Sequence, residues 1–241
     1  MARHGSKKSQ KRISLNKAVH IRRKEMTWTI KTSPGPHSGE DSIALGIALR
    51  DLLGIARNIK EVRLILNSRT VSVDGMIRNE KKFPLGLFDV VALSDSKKQF
   101  RVLLDKKGRF VLKEIPAKNS GFKLVRITGK KAIRGNRIQL ETNDGRVFVA
   151  DSKEKASIGD SLKIGIPSQK ILEVFAFEKG NTGFIFKGER TGGIAEIENV
   201  LPGTMKRGKL VLLKPREGGE FQTVAENVFV VGKKNIEIEL D

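Results

Sequence analysis

The chain has 241 residues, with 47 Lys and Arg against 27 Asp and Glu, a formal charge of +20. It contains no cysteine, which excludes disulfides, thiolate zinc sites, iron–sulfur clusters and thiol nucleophiles together. No apolar run approaches the ~20 residues of a membrane span, and no apolar stretch follows the basic N-terminus to make a secretory signal, so an intracellular, soluble, polyanion-binding chain is expected.

Residues 1–24 hold nine basic residues and no acidic one. Ile13, Leu15, Val19 and Ile21 are too scattered to form a core, which predicts an arm that is disordered alone and orders on its ligand. Its Arg3, Lys7, Lys8, Lys11, Arg12, Lys17, Arg22, Arg23 and Lys24 are candidate phosphate contacts. Met26, Trp28 and Ile30 alternate with Thr27, Thr29 and Lys31 as a short strand would. Ser33–Gly39 is a stiff, proline-containing loop in which His37 reads as a loop or phosphate contact.

Ser42 is the expected N-cap of a short amphipathic helix carrying Ile43, Ile47, Leu49, Leu52 and Leu53, which Gly54 can close. A second helix is predicted over about Asn58–Leu66, with Ile59, Val62, Ile65 and Leu66 on one face. Lys60, Arg63 and Asn67 share the opposite face and lead into Arg69 and Thr70. Guanidinium and amide donors at a helix end are where phosphate oxygens can approach. Arg69–Val73 alternates as a strand, Asp74-Gly75 is a two-residue hairpin turn, and Met76–Arg78 returns. Lys81 and Lys82, just before the Leu87–Leu93 strand, join the candidate contacts.

From Phe100 onward the pattern is β. Strands are expected at Arg101–Leu104, Arg109–Leu112, Phe122–Ile127, Arg137–Leu140 and Arg146–Ala150. They recur at Ile171–Phe177, Phe184–Phe186, Ile194–Ile197, Lys209–Leu213 and Asn227–Val231. Lys123–Leu140 carries Lys123, Arg126, Lys130, Lys131, Arg134 and Arg137 without an acid, and Gly129 and Gly135 frame a loop. A single-sign hairpin repels itself unless it meets an anion, so Lys130, Lys131, Arg134 and Arg137 are further candidates.

Residues 1–41, 42–115 and 116–172 each carry +7, whereas 173–241 carries −1. Three consecutive basic segments suggest a contact track along an anionic polymer, with the last module mostly outside it. Catalytic chemistry is poorly supplied. His4, His20 and His37 have no spacing for joint metal ligation. Gly129-Lys130-Lys131 lacks the rest of a phosphate loop, and no Gly-x-Ser-x-Gly elbow occurs. No enzyme, cofactor or metal is therefore expected. Aromatics make 5% of the chain and tyrosine is absent, so backbone and shape reading of folded RNA fits better than threading a single strand.

Asn58–Gly75, NIKEVRLILNSRTVSVDG, resembles the S-four RNA-binding module of ribosomal and RNA-modifying proteins. The stretch from Gly180-Asn-Thr-Gly183 through Gly193-Ile-Ala-Glu-Ile197 resembles a KOW motif, a glycine-punctuated β element. Together with Met1–His4, Pro34–His37, Pro84–Val90, Lys107–Phe110 and Glu226–Gly232, they make the chain similar to the e-type S-four family of small-subunit ribosomal proteins, in its archaeal form.

The resemblance implies an α+β, mostly β chain. Its parts would be a basic N-terminal arm and anchor (1–41), a helix–helix–β S-four module (42–115), a central β domain (116–172) and a small C-terminal KOW-type β-barrel (173–241). It implies a structural constituent of the small ribosomal subunit that binds and organises rRNA for assembly and translation. Small-subunit rRNA and neighbouring ribosomal proteins would be its partners in the cytoplasm, with no membrane and no small-molecule substrate. The rival readings are an accessory of an RNA-modifying enzyme and a KOW-type transcription elongation factor.

Overall fold

The computed structural model describes residues 10–22, 24–151, 156–204, 208–215, 219–233 and 238. They are mostly β with few helices, in two compact units. One unit comprises residues 1–102 with 109–114, the other 103–108 with 115–241.

In the first unit, β1 (Gln10–Lys11) pairs antiparallel with β2 (Trp28–Thr29). The segment between them corrects the expectation of an arm without a core. Val19 and Ile21 are only 7% and 2% exposed, and the Phe110 N–H donates to the Ala18 carbonyl at 2.8 Å. The side chain of Asn16 donates to the Glu40 carbonyl. Ile13, by contrast, is 94% exposed. A backbone hydrogen bond to a strand some 90 residues downstream ties this segment in, which local counting cannot reveal.

The remaining elements of this unit are β3 (Ile43–Ala44), α1 (Leu45–Ile47), which continues as a wider π-helical turn over Ala48–Leu52, α2 (Ile59–Asn67), β4 (Val71–Val73), β5 (Met76–Ile77), β6 (Pro84–Leu85), β7 (Val90–Leu93), β8 (Lys98–Leu104) and β9 (Phe110–Ile115). Ser42 does not cap α1. Pairing of β3 with β6 holds Ile43 and Ala44 extended, so helical backbone starts later. The first free N–H groups, on Leu45 and Gly46, donate to the Phe83 and Lys81 carbonyls, both at 2.8 Å. Ser42 Oγ donates instead to the Ser38 carbonyl. Gly54 follows the helical turns at φ +64°, the left-handed exit that glycine adopts without strain.

Helix α2 forms where its own residues dictate. The Asn58 side chain accepts from the Lys60 and Glu61 N–H groups at 2.8 and 3.0 Å, and Val62 and Leu66 are buried. Asp74 and Gly75, at φ +50° and +77°, close the β4–β5 hairpin, with Val73 opposite Met76. The resulting five-stranded sheet has the order β5-β4-β7-β8-β9.

The second unit holds two five-stranded sheets. The first contains β10 (Phe122–Ile133), β11 (Arg137–Thr142), β12 (Val147–Asp151), β13 (Ser161–Gly165) and β14 (Ile171–Phe175), in the order β12-β11-β10-β13-β14. Val125, Ile127, Leu140, Phe148, Leu162 and Ile164 form its core. The second contains β15 (Thr182–Ile185), β16 (Ile194–Leu201), β17 (Leu210–Pro215), β18 (Phe221–Val224) and β19 (Val228–Gly232), in the order β18-β17-β16-β15-β19.

Gly129 does not open a loop. It lies within the 12-residue β10, just past a bulge, opposite Glu141, where an added Cβ would come within 2.8 Å of Glu141 Oε2. The expected division at residue 172 falls inside β14, which pairs with β13. Strand β18, too short and polar to alternate clearly, has no counterpart in the sequence reading.

Candidate nucleic-acid interface

The cap on Asn58 sets the phase of α2 so that Lys60, Arg63 and Asn67 are all exposed. Ser68 ends the helix, and Arg69 follows in the left-handed region (φ +59°), exposed at the helix C-terminus, where its charge complements the dipole. Thr70 is half-buried. Its Oγ1 lies 3.3 Å from both the Ile65 carbonyl and Ser68 Oγ, so this hydroxyl finishes the helix end.

Lys81 and Lys82 join this surface through tertiary structure. The Lys81 carbonyl accepts from Gly46 N–H, and the Lys82 carbonyl accepts from Ser33 N–H and Ser33 Oγ at 2.9 and 3.1 Å. With the backbone pinned, the side chains crowd. Burial, the Arg63 guanidinium and the Lys82 ammonium, in that order, hold the Lys81 pKa below the usual lysine range. Like charges gathered this way are relieved by an anion. Beside them lies a cleft of about 260 Å³ lined by Trp28, Thr29, Ile30, Lys31, Arg50, Ile59, Lys81 and Lys82. The Arg50 guanidinium is engaged by Asp51, with Nη2 2.7 Å from Oδ2. No local spacing marks Trp28 and Ile59 as neighbours of Lys81; Gly46, passing close to both Ile30 and Lys81, lets the two segments approach.

In the N-terminal segment, Lys11, Lys17, Arg22 and Lys24 are exposed. Lys11 Nζ stands 5.8 Å from the Trp28 ring centroid, and Arg22 pairs with Glu25 at 3.3 Å. Arg12 is turned inward, donating from Nε to the Arg22 carbonyl at 3.0 Å and from Nη2 to the Ile21 carbonyl. Arg3, Lys7, Lys8 and Arg23 lie outside the described residues.

His37 departs from expectation. It is 8% exposed, its Nε2 is 3.1 and 3.0 Å from the two Asp89 carboxylate oxygens, and its ring lies against Gly86, where a Cβ would overlap it. Asp89 also accepts from Gly86 N–H at 2.9 Å. The imidazole clasps two loops together through Asp89. Its partner is 52 residues away, beyond the reach of any local motif.

In the second unit, Lys131, Arg134 and Arg137 are exposed around a tip whose Gly135 and Asn136 adopt φ +83° and +54°. Lys130 is also exposed, but its Nζ donates to the Ala156 carbonyl at 2.7 Å. The two other cations of this basic run serve the interior. Arg126 donates from Nη1 to the Glu226 carbonyl at 2.6 Å and from Nη2 to the Ala225 carbonyl at 3.3 Å. Lys123 is 1% exposed and pairs with Asp144 at 3.2 Å. Burial opposes ionisation of Asp144, but Lys123, the Thr142 hydroxyl and Arg146 outweigh it and hold the carboxyl below its ordinary pKa. Among the described residues no cluster of His, Asp or Glu is placed to hold a metal ion, and no helix is long and apolar enough to cross a membrane.

Residues 4–40 match the RS4NT (NUC023) domain, and residues 96–171 match the family described as Ribosomal family S4e. The protein named small ribosomal subunit protein eS4 in Methanosphaera stadtmanae is 44% identical over 100% of this chain and 98% of its own length. Its namesake in Methanothermobacter thermautotrophicus is 40% identical over the same shares. The crystal structure of the 30S ribosomal protein S4e from Thermoplasma acidophilum superposes with a TM-score of 0.71 at 31% identity, covering 82% of this chain and 99% of that one. Identity of this order along the whole length, with two family segments matched in place, makes the chain a member of the eS4 family of ribosomal proteins.

Proposed function

We propose that the chain is a structural constituent of the small ribosomal subunit that binds and organises rRNA. The observation that carries this reading is the exposed Lys60, Arg63 and Arg69 face beside the crowded Lys81 and Lys82. It is an electropositive surface built on a capped helix and a pinned loop, ready to lie against phosphates without reordering. The names of the relatives support the same conclusion. The basic tip at Lys131, Arg134 and Arg137 adds a second contact, and exposed Lys11, Lys17, Arg22 and Lys24 extend the first. In this reading the helix–helix–strand part acts as an S-four-type module. The first sheet of the second unit is the central β domain, and the last sheet is a KOW-type barrel. Work in the cytoplasm, beside rRNA and neighbouring ribosomal proteins, follows from it. No catalytic step is assigned.

Co-sedimentation of the purified chain with small subunits at moderate salt tests the reading, and failure to co-sediment would overturn it. A second measurement concerns the N-terminal segment. If about five of its cations neutralise phosphates, removing residues 1–24 should reduce the magnitude of the slope of log K against log[salt] by roughly 3.5–4.5. Because Val19 and Ile21 are buried, the truncation should also lower the melting temperature by roughly 5 °C or more. Parallel salt lines would mean that the segment serves stability alone.

A further inference from the structure

Trp28 is the chain's one tryptophan, and it is 55% exposed. A bare indole on a soluble surface usually has a partner, because it combines a large apolar face with a polar edge. This one is held in place. Strand β2 carries it opposite Lys11 in β1, and the Lys11 ammonium stands 5.8 Å from the ring centroid. It lines the 260 Å³ cleft together with apolar Ile30 and Ile59 and the cations Lys31, Lys81 and Lys82. That volume lies below the ~300–1,000 Å³ of small-molecule sites, room for one planar ring rather than a folded ligand. None of the described residues lining the cleft is acidic. A cationic peptide segment is therefore disfavoured, and an aromatic wall with ammonium groups at its rim is the combination that recognises an unpaired nucleotide by base face and phosphate.

We propose that Trp28 is the stacking platform for a single unpaired nucleobase of the bound RNA, whose flanking phosphate sits on Lys81 and Lys82. The proposal rests on the rRNA-binding reading and gives it a nucleotide-sized subsite. The crowding of Lys81 by Arg63 and Lys82 is relieved when the phosphate arrives. With one such ring and no tyrosine in the chain, the site takes one base splayed from a folded RNA.

The chain carries its own reporter. With one tryptophan and no tyrosine, its near-ultraviolet emission comes from Trp28. The full chain is titrated with a short oligoadenylate and with an abasic phosphodiester chain of the same length, while anisotropy of an end label follows binding. Oligoadenylate should quench the emission in step with binding, and the abasic chain should bind without quenching it. Trp28→Ala should weaken oligoadenylate binding about five- to hundredfold, with the salt slope unchanged because no phosphate contact is lost. Trp28→Phe should recover most of the affinity. Binding of oligoadenylate with unmoved emission, or equal quenching by the abasic chain, overturns the subsite. A small-subunit rRNA fragment serves as the control: if it binds normally in either case, the subsite falls alone. If that fragment fails to bind at all, the rRNA-binding reading falls and takes the subsite with it.

Discussion

Reversing two charges, with Arg63→Glu and Arg69→Glu together, is expected to weaken binding to a small-subunit rRNA fragment by about 100-fold at moderate salt. A hydrogen bond to a charged group contributes ~1.5–3 kcal/mol, so losing two of them at the low end of that range already corresponds to about two decades. Two fewer neutralised phosphates should flatten the slope of log K against log[salt] by about 1.8. Folding should survive. Both side chains are exposed, and the only structural cost foreseen is a carboxylate at the C-terminus of α2, about 0.3–1 kcal/mol. Filter binding across several salt concentrations, beside calorimetric melting of the same preparations, gives both quantities. An unchanged affinity in a protein with an unchanged melting curve would remove this face from the interface.

Lys123→Ala acts in the opposite way, on stability rather than on RNA. Removing one partner of a buried ion pair leaves the other charge without compensation, at a cost of about 3–5 kcal/mol. Here the stranded group is Asp144, which retains the Thr142 hydroxyl at 2.6 Å and the Arg146 guanidinium at 3.1 Å, so the lower end of that range is expected. The pH dependence has a definite sign. In the native chain Asp144 titrates below its ordinary value. Its contribution is therefore fully present above about pH 4–5 and is lost as pH falls through the depressed value. Without Lys123 the burial that opposes ionisation has fewer counterweights, so protonation costs the variant less than it costs the native chain. The stability gap between the two proteins should narrow on acidification. Denaturant melts of both proteins from pH 7 to pH 4 measure it, and a gap that widens towards acid would contradict the role assigned to this pair.

What local sequence could disclose was whatever a few neighbouring residues decide among themselves. Asn58 caps α2 through its own side chain and the next three residues, and Asp74-Gly75 turns a hairpin by backbone preference alone; the helix stands within a residue of its predicted span, and the hairpin where its turn predicts it. The exposed stripe of Lys60, Arg63 and Asn67 follows from that cap. Partnerships across the chain left no comparable trace. Lys123 and Arg126 look like part of a basic hairpin until Asp144 and the carbonyls of Ala225 and Glu226 are seen to face them. His37 looks like a loop residue until Asp89 meets it. In each case the deciding group lies 21 to 100 residues away, and burial, which reverses the meaning of a charge, is set by packing and not by neighbours in sequence.

The bulge in β10 changes how the hairpin must be read. Ile127 lies opposite Thr142, but Gly129 lies opposite Glu141, so Thr128 is an unpaired beat in the strand's alternation. Before it, odd-numbered Val125 and Ile127 point to the core. After it, the core-facing positions of β11 are Ile138 and Leu140, whose partners are even-numbered Ala132 and Lys130, and odd-numbered Lys131 turns outward with Arg137. The strand is thus written in two frames, apolar-inward in one and basic-outward in the other, joined at a single residue. Deleting Thr128 would remove that beat and merge the frames with Lys131 still opposite Gln139 and outward, whereas a slip that paired Thr128 with Glu141 would bring Lys131 opposite Ile138 on the core side, so the bulge is what holds this hairpin in register.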